Sequence, residues 1–486
     1  MMNTERKSTR SGRGLLMPLL LVTTLGVGAC DFLDPTDVEN PQTTGDDLLQ
    51  AEAPTSALLP GLRAQMARLV SSTTVVSEVV SDNFSIHGTG LFKEWDSPRS
   101  VTPSVNNSTG TATGLYWNAQ ELKALANFVI DEIAPNDPTA QPAHVAEAYY
   151  YRGMALLMLA ENFSGAPLQE DGPIVPAGQI LDLAIADFGQ AGAFGVATAA
   201  ATARAQRWKG DRAAARTAAL AALSVDGDFA ILQEYDASSI SNQPFSFLVL
   251  RALQEMQPLP RLDFLDPKYL NREAGIAVAK AEEMHLIMAE AALAGGDLPT
   301  ARTSLRNAIQ LAKNRSTSSF EDGDQRLNAD LTIRPRSASI QVRADANAPY
   351  RAGLVLSRPG SVSQHTLSGT SLNADSVAAL GTAAELWHAL NLARQEILFL
   401  EGRRMADLGI RLPIMLREID ANPNINQGDL GTEAVVPAYI PADDGMDLYT
   451  PVSPYSASET LTTNQITIQF DMNRILAQNN ASPFVS

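Results

Sequence analysis

The chain has 486 residues, a formal net charge of −18, 45% hydrophobic and 19% charged side chains, and a single cysteine. An acidic surface repels phosphate backbones, so nucleic acid is excluded as a partner. One cysteine excludes an intramolecular disulfide, and a chain this long must hold together by its packed core.

Arg6, Lys7, Arg10 and Arg13 precede the apolar run LLMPLLLVTTLGVGA at 15–29. A basic head followed by a short apolar stretch reads as a secretory signal peptide over 1–29, since a membrane span needs about 20 residues. Gly28 and Ala29 stand directly before Cys30, an arrangement that resembles the lipobox of bacterial lipoproteins. Cys30 is therefore expected to become the lipidated N-terminus, leaving no free thiol. Residues 30–56 are acidic and proline-punctuated, as a linker is, and 57–486 read as a single body.

Within that body, helical periodicity starts near Ala57 and runs toward Val80. It returns at 115–133, 143–162, 201–224, 276–294, 299–313 and 377–408. Apolar residues recur at the spacing of a buried stripe, as Ala277, Ala281, Met284, Met288 and Ala291 do. Gly210-Asp211 followed by Ala215 and Ala222 repeats as Gly296-Asp297 followed by Ala301 and Ala308. A Gly-Asp turn with small residues seven apart suits a close antiparallel helix pair, as in tetratricopeptide repeats. The predicted fold is mainly α: about four tetratricopeptide-like helix pairs. Long irregular insertions lie at 81–114, 314–376 and 409–486, with further irregular stretches at 163–180 and 227–275. NQITIQF at 464–470 alternates as a short strand does.

No catalytic constellation emerges. The five histidines lack metal-binding spacing, and there is no G-x-S-x-G, P-loop or dinucleotide fingerprint, so no metal or cofactor is expected. Asp226/Asp228 and Asp322/Asp324 each flank a glycine, the pattern of a turn. Dispersed carboxylates of the glycosidase kind leave a secreted hydrolase as the least supported alternative. Binding has better material. Asn83, Phe84, Phe92, Trp95 and Arg99 lie in one polar segment, and Tyr350 and Arg351 in another. Aromatic faces with amide and guanidinium groups are what grip a sugar or peptide without catalysis. Packed inward, the same rings would be loop anchors. Trp95 is the leading candidate, whereas Trp117, Trp208 and Trp387 fall in helical patterns and read as core.

The stretch RQEILFLEGRRMADL at 394–408 places a glycine among charges in a helical pattern. Helical spacing would bring Glu401 beside Arg404 and Arg403 beside Asp407. Gly402 makes sense if another helix passes close to the backbone there, with the charges enclosed and mutually neutralised. Arg394, Glu401, Gly402, Arg404 and Asp407 resemble the E-G-x-R-x-x-D-L helix, with its upstream arginine, of the SusD/RagB family of nutrient-binding outer-membrane lipoproteins. CDFLD at 30–34, FSGAPL at 163–168, the Gly-Asp turn at 210 and KAEEMHLIMAEA at 280–291 follow in that family's order. Lys280 stands where the family usually has arginine, and AYIPADD at 438–444 lacks its Pro-Ile-Pro.

The resemblance implies a surface-exposed, lipid-anchored outer-membrane protein that is not an enzyme. It would capture oligosaccharide, or peptide, and deliver it to a SusC-like TonB-dependent transporter. The alternative from another class is a structural scaffold or gate of that transporter with no ligand of its own.

Overall fold

The computed structural model describes residues 52–86, 92–104, 114–251, 256–321, 341–343, 350–352, 361–441, 465–468 and 470–485. The predicted signal peptide at 1–29, Cys30 and the Asp322/Asp324 pair lie outside them. The helices are α1 (Pro54–Val80), α2 (Leu115–Asn127), α3 (Pro142–Asn162), α4 (Ala177–Gln190), α5 (Val196–Trp208), α6 (Arg212–Val225) and α7 (Ala281–Ala294). They continue with α8 (Leu298–Asn314), α9 (Ala374–Ala378), α10 (Ala383–Ile397), α11 (Arg404–Asp407), α12 (Leu416–Ala421) and α13 (Met472–Gln478).

The strands are short and form small separate ribbons. They are β1 (Phe84–Ile86), β2 (Gly165–Pro167), β3 (Ile174–Pro176), β4 (Ala230–Gln233), β5 (Met256–Pro258), β6 (Ile276–Lys280), β7 (Thr317–Glu321), β8 (Gln341–Arg343), β9 (Arg351–Ala352), β10 (Ser361–His365) and β11 (Gln465–Thr467). β1 pairs antiparallel with β5, β2 with β3, β4 with β6 and β7 with β10, while β8 lies between β9 and β11.

The helical-pair scaffold is as expected. α3 packs on α4, α5 on α6 and α7 on α8, and α10 packs on the C-terminal α13. The Gly-Asp repeat makes two of the turns. Gly210 and Gly296 take φ of 75° and 77°, which a side chain resists, and the next residue caps the following helix. Asp211 Oδ1 accepts from the Ala214 amide at 2.9 Å and Asp297 Oδ1 from Thr300 at 3.1 Å. Ala215, Ala222, Ala301 and Ala308 are all buried in the seams.

α1 is the central element: every residue from Leu69 to Val80 is buried. Its hydroxyls survive there because they bond back to the helix, Thr73 Oγ1 to the Leu69 carbonyl at 2.7 Å and Thr74 Oγ1 to Val70 at 2.9 Å. Apolar packing falls into three clusters: a large one around α1 to α4, one around α7, α8 and α10, and one around α5, α6 and α7.

Four expectations need correction. Residues 276–280 form β6, not the start of a helix, because they pair with β4. Helix α4 covers residues for which no helix is predicted from the sequence. Trp117 is 40% exposed on the outer side of α2, so it is not core, whereas Trp387 is. Finally, 377–408 is not one helix: it comprises α9, α10 and α11, and α10 ends at Ile397. Past that end Leu400 and Gly402 have φ of 58° and 73°, both left-handed. The strand at 465–467 lies where alternation predicts it.

Candidate functional site

The break after α10 has two causes, one of them foreseen. A Cβ built on Gly402 would lie 3.1 Å from Thr73 Cγ2 and 3.3 Å from the Thr74 amide nitrogen of α1, so a helix does pass close by. The positive φ adds a conformational demand that the helical reading misses.

The charges here are enclosed, but their partners are not sequence neighbours. Arg394 grips Asp407 with two bonds of 2.9 Å. Arg207 of α5 reaches the same carboxylate at 3.0 Å and holds Glu290 of α7 at 2.6 Å. Glu401 Oε1 receives Lys280 Nζ at 2.6 Å and Lys268 Nζ at 2.5 Å. Arg403 binds Glu283 of α7 at 3.0 Å rather than Asp407. Burial alone would push Asp407 up, but the charges of Arg394 and Arg207 outweigh it and hold the carboxyl at about 2. Glu283 is likewise held at about 2, by Arg403 and Arg204 against its burial. Arg404 differs: it is buried, its Nε has no partner, and burial brings it down to about 10 against the pull of Asp407. This seam joins α3, α5, α7, α10 and α11, which is scaffold work.

The expected ligand residues occupy the segment that follows α1. Asn83 and Phe84 are fully buried, Phe84 stacking on Phe399 with centroids 5.7 Å apart. Phe92 packs edge-on against Phe247 at 5.5 Å. The Trp95 ring is 3% exposed, so it presents no open face in this state. Arg99 is exposed and donates to the Ile440 carbonyl at 2.5 Å, tying the segment to the C-terminal insertion. Tyr350 is half-buried and lies under the Arg343 guanidinium at 4.7 Å, with Arg351 next to it at the start of β9. Asn83, Phe84, Phe92 and Trp95 share one apolar cluster or its border, and Tyr350 and Arg351 belong to the separate β8–β9–β11 ribbon.

Two surface grooves were not foreseen. One, of about 460 Å³, lies between α9, α10 and α13 and is lined by Leu372, Val377, Leu380, His388, Leu392 and Arg474. His388 Nε2 meets Asp471 Oδ2 there at 3.0 Å, and Asp471 also holds Arg261 at 2.8 Å and caps α13. The other, about 430 Å³, lies beside β3 and α4 and is lined by Leu168, Pro173, Val175, Gln179, Asp182 and Leu183. The first draws its walls from 372–392 and 474–478, far apart in the chain, whereas the second is built within the single stretch 168–183. Among the described residues no group of histidine and carboxylate side chains has metal-holding geometry, and no helix is long and apolar enough to cross a membrane. Asp226 and Asp228 form an ordinary turn, with Asp226 Oδ1 accepting from the Asp228 amide at 3.0 Å.

No known family profile matches the chain, and no curated protein matches it in sequence. Among solved structures it is similar to a SusD superfamily protein from Bacteroides fragilis, with a TM-score of 0.50 at 14% identity, over 76% of this chain and 98% of that one. The fold is SusD-like. A SusD-like carbohydrate binding protein from Bacteroides vulgatus is also similar, with a TM-score of 0.46 at 14% identity, over 73% of this chain and 82% of that one.

Proposed function

We propose that this chain is a non-catalytic binding lipoprotein. It is held at the outer membrane through Cys30, captures oligosaccharide or peptide, and passes it to a SusC-like TonB-dependent transporter. The observation that carries the reading is the SusD-like scaffold itself, supported by the resemblance of Glu401, Gly402, Arg404 and Asp407 to that family's sequence motif. A repeat scaffold of this kind buries its core between neighbours and leaves an extended face for a partner. The ligand surface is proposed at the segment of Asn83, Phe84, Phe92, Trp95 and Arg99, together with Tyr350 and Arg351. Since the Phe92 and Trp95 rings pack inward, contact through them requires the segment to shift on binding. A glycan and peptide array with protein lacking residues 1–30 tests the reading, and binding to neither class refutes it.

One observation favours a second reading. Three aromatic rings expected as ligand platforms, Phe84, Phe92 and Trp95, are buried, which suits a structural gate of the transporter with no ligand of its own. Co-purification with the transporter but silence on the array would select the gate.

A further inference from the structure

The last turn of α1 ends in a carboxylate with no place in the seam around Asp407. Glu78 is fully buried. Its Oε2 accepts from Asn83 Nδ2 at 2.7 Å, at the entrance to β1. Its carboxylate also lies beside the backbone amide of Leu400, the residue held at φ 58° in the break after α10. Its Oε1 has no hydrogen-bond partner. One side chain thus holds two segments that belong to different parts of the chain.

From Asn83 the contacts continue inward. Asn83 Oδ1 accepts from Gln395 Nε2 of α10 at 3.0 Å, and Gln395 Oε1 accepts from Asn473 Nδ2 of α13 at 2.7 Å. All three amides are buried, and Asn473 Oδ1 at the far end has no partner. Every link donates toward Glu78, the polarity that an ionised carboxylate at the end of the chain demands. A protonated Glu78 has an O–H to give. Asn83 would then accept it through Oδ1, Asn83 Nδ2 would turn to Gln395, and Gln395 Nε2 would reach the now unpartnered Asn473 Oδ1. The chain therefore has two self-consistent polarities, and the proton on Glu78 selects between them.

We infer that Glu78 is a proton-operated clamp: its charge state sets how firmly β1 and the Leu400 break are held, and the amide chain transmits that state to α13. The charged groups around it are Lys268 from the segment after β5, and Glu401 and Arg404 from the break, with the Tyr269 hydroxyl beside them. Burial raises Glu78 to about 7, against the Asn83 bond and the Lys268 charge, so the two states exchange near neutral pH. Ionised, it is a charge in a buried site that favours its neutral form, so the protonated state holds the two segments more firmly. Its bearing on ligand capture rests on the reading that β1 leads into the binding segment.

Hydrogen exchange of the ligand-free protein tests the clamp directly, with rates corrected for intrinsic chemistry. In the wild type, local protection of 82–86 and of 472–478 should be about tenfold greater near pH 5.5 than near pH 8, since the closed state holds the Glu78 proton more tightly than the opened one. Glu78→Gln, a permanently neutral isostere, should remove the pH response in both segments. Should that variant not fold, Asn83→Ala leaves the carboxyl and cuts the first link, and the response at 472–478 should vanish. Asn473→Ala should keep the response at 82–86 and lose it at 472–478. A wild type indifferent to pH, or a response that survives Glu78→Gln, would overturn the clamp. Because no ligand is present, a failure of the array experiment leaves this result standing, and the converse also holds.

Discussion

Arg394 and Asp407 lie 13 residues apart and meet through two parallel hydrogen bonds, Nε to Oδ2 and Nη2 to Oδ1. That fork bridges the break between α10 and α11, so the chain can turn at Leu400 and Gly402 without losing its register on α1. Asp407→Ala would leave two buried guanidiniums, Arg394 and Arg207, short of a carboxylate. The expected cost is about 3–5 kcal/mol, read from urea melts. Arg404→Met should cost less than about 1 kcal/mol or stabilise, since that guanidinium is desolvated with its Nε unpaired. The two arginines of the motif thus separate by experiment, and equal losses would show that Arg404 is paired in solution.

Gly402→Ala should destabilise by about 1–2 kcal/mol, because the residue needs positive φ and the new methyl would press on Thr73 and Thr74. Gly402→Leu should be worse, through overpacking of a filled interior. An unchanged melting temperature for the alanine variant would contradict the geometry.

Stability should depend on pH with two opposite signs. Asp407 and Glu283 have folded pKa values depressed to about 2. Their contribution is full above the ordinary carboxylate range and is lost as pH falls from about 4 toward 2. Glu78 has a raised pKa, about 7. The folded state therefore binds its proton more readily than the unfolded chain, and that contribution, roughly 2–3 kcal/mol, is full below about 4 and lost as pH rises through 7. Glu78→Gln should accordingly melt higher than wild type near pH 8 and much like it near pH 4.5. Melts across that range check both signs.

Trp95→Ala should lower stability by about 3 kcal/mol, since the ring is buried. Arg99→Ala, at an exposed position, should leave the melting temperature nearly unchanged. If the segment binds sugar or peptide, Arg99→Ala is the cleaner variant in which to see binding weaken. Titration with whichever array ligand scores highest decides it.

Cys30→Ala should fold as wild type does, yet lose lipid labelling and membrane association. Unchanged fractionation and labelling would refute the lipoprotein reading.

Sequence alone was enough for the α5–α6 and α7–α8 pairs. Gly210-Asp211 and Gly296-Asp297 state their turns locally, a left-handed residue followed by an N-cap, and Ala215, Ala222, Ala301 and Ala308 state the seams through helical spacing. It was also enough to say that a helix crosses at Gly402 and that the charges beside it are buried. Only tertiary structure decided who pairs with whom. Local spacing offered Arg404 to Glu401 and Asp407 to Arg403, but buried charges pair with whatever ion packing brings within reach, here Lys280, Lys268, Arg394 and Arg207. The same holds for 276–280, whose alanines suit a helix until β4 offers a ladder, and for Trp95, whose polar flanks suggest a surface ring. Helix ends, turns and stripes are written in neighbouring residues. Ion partners, strand partners and burial are set by contacts between residues up to hundreds of positions apart, and no local pattern encodes them.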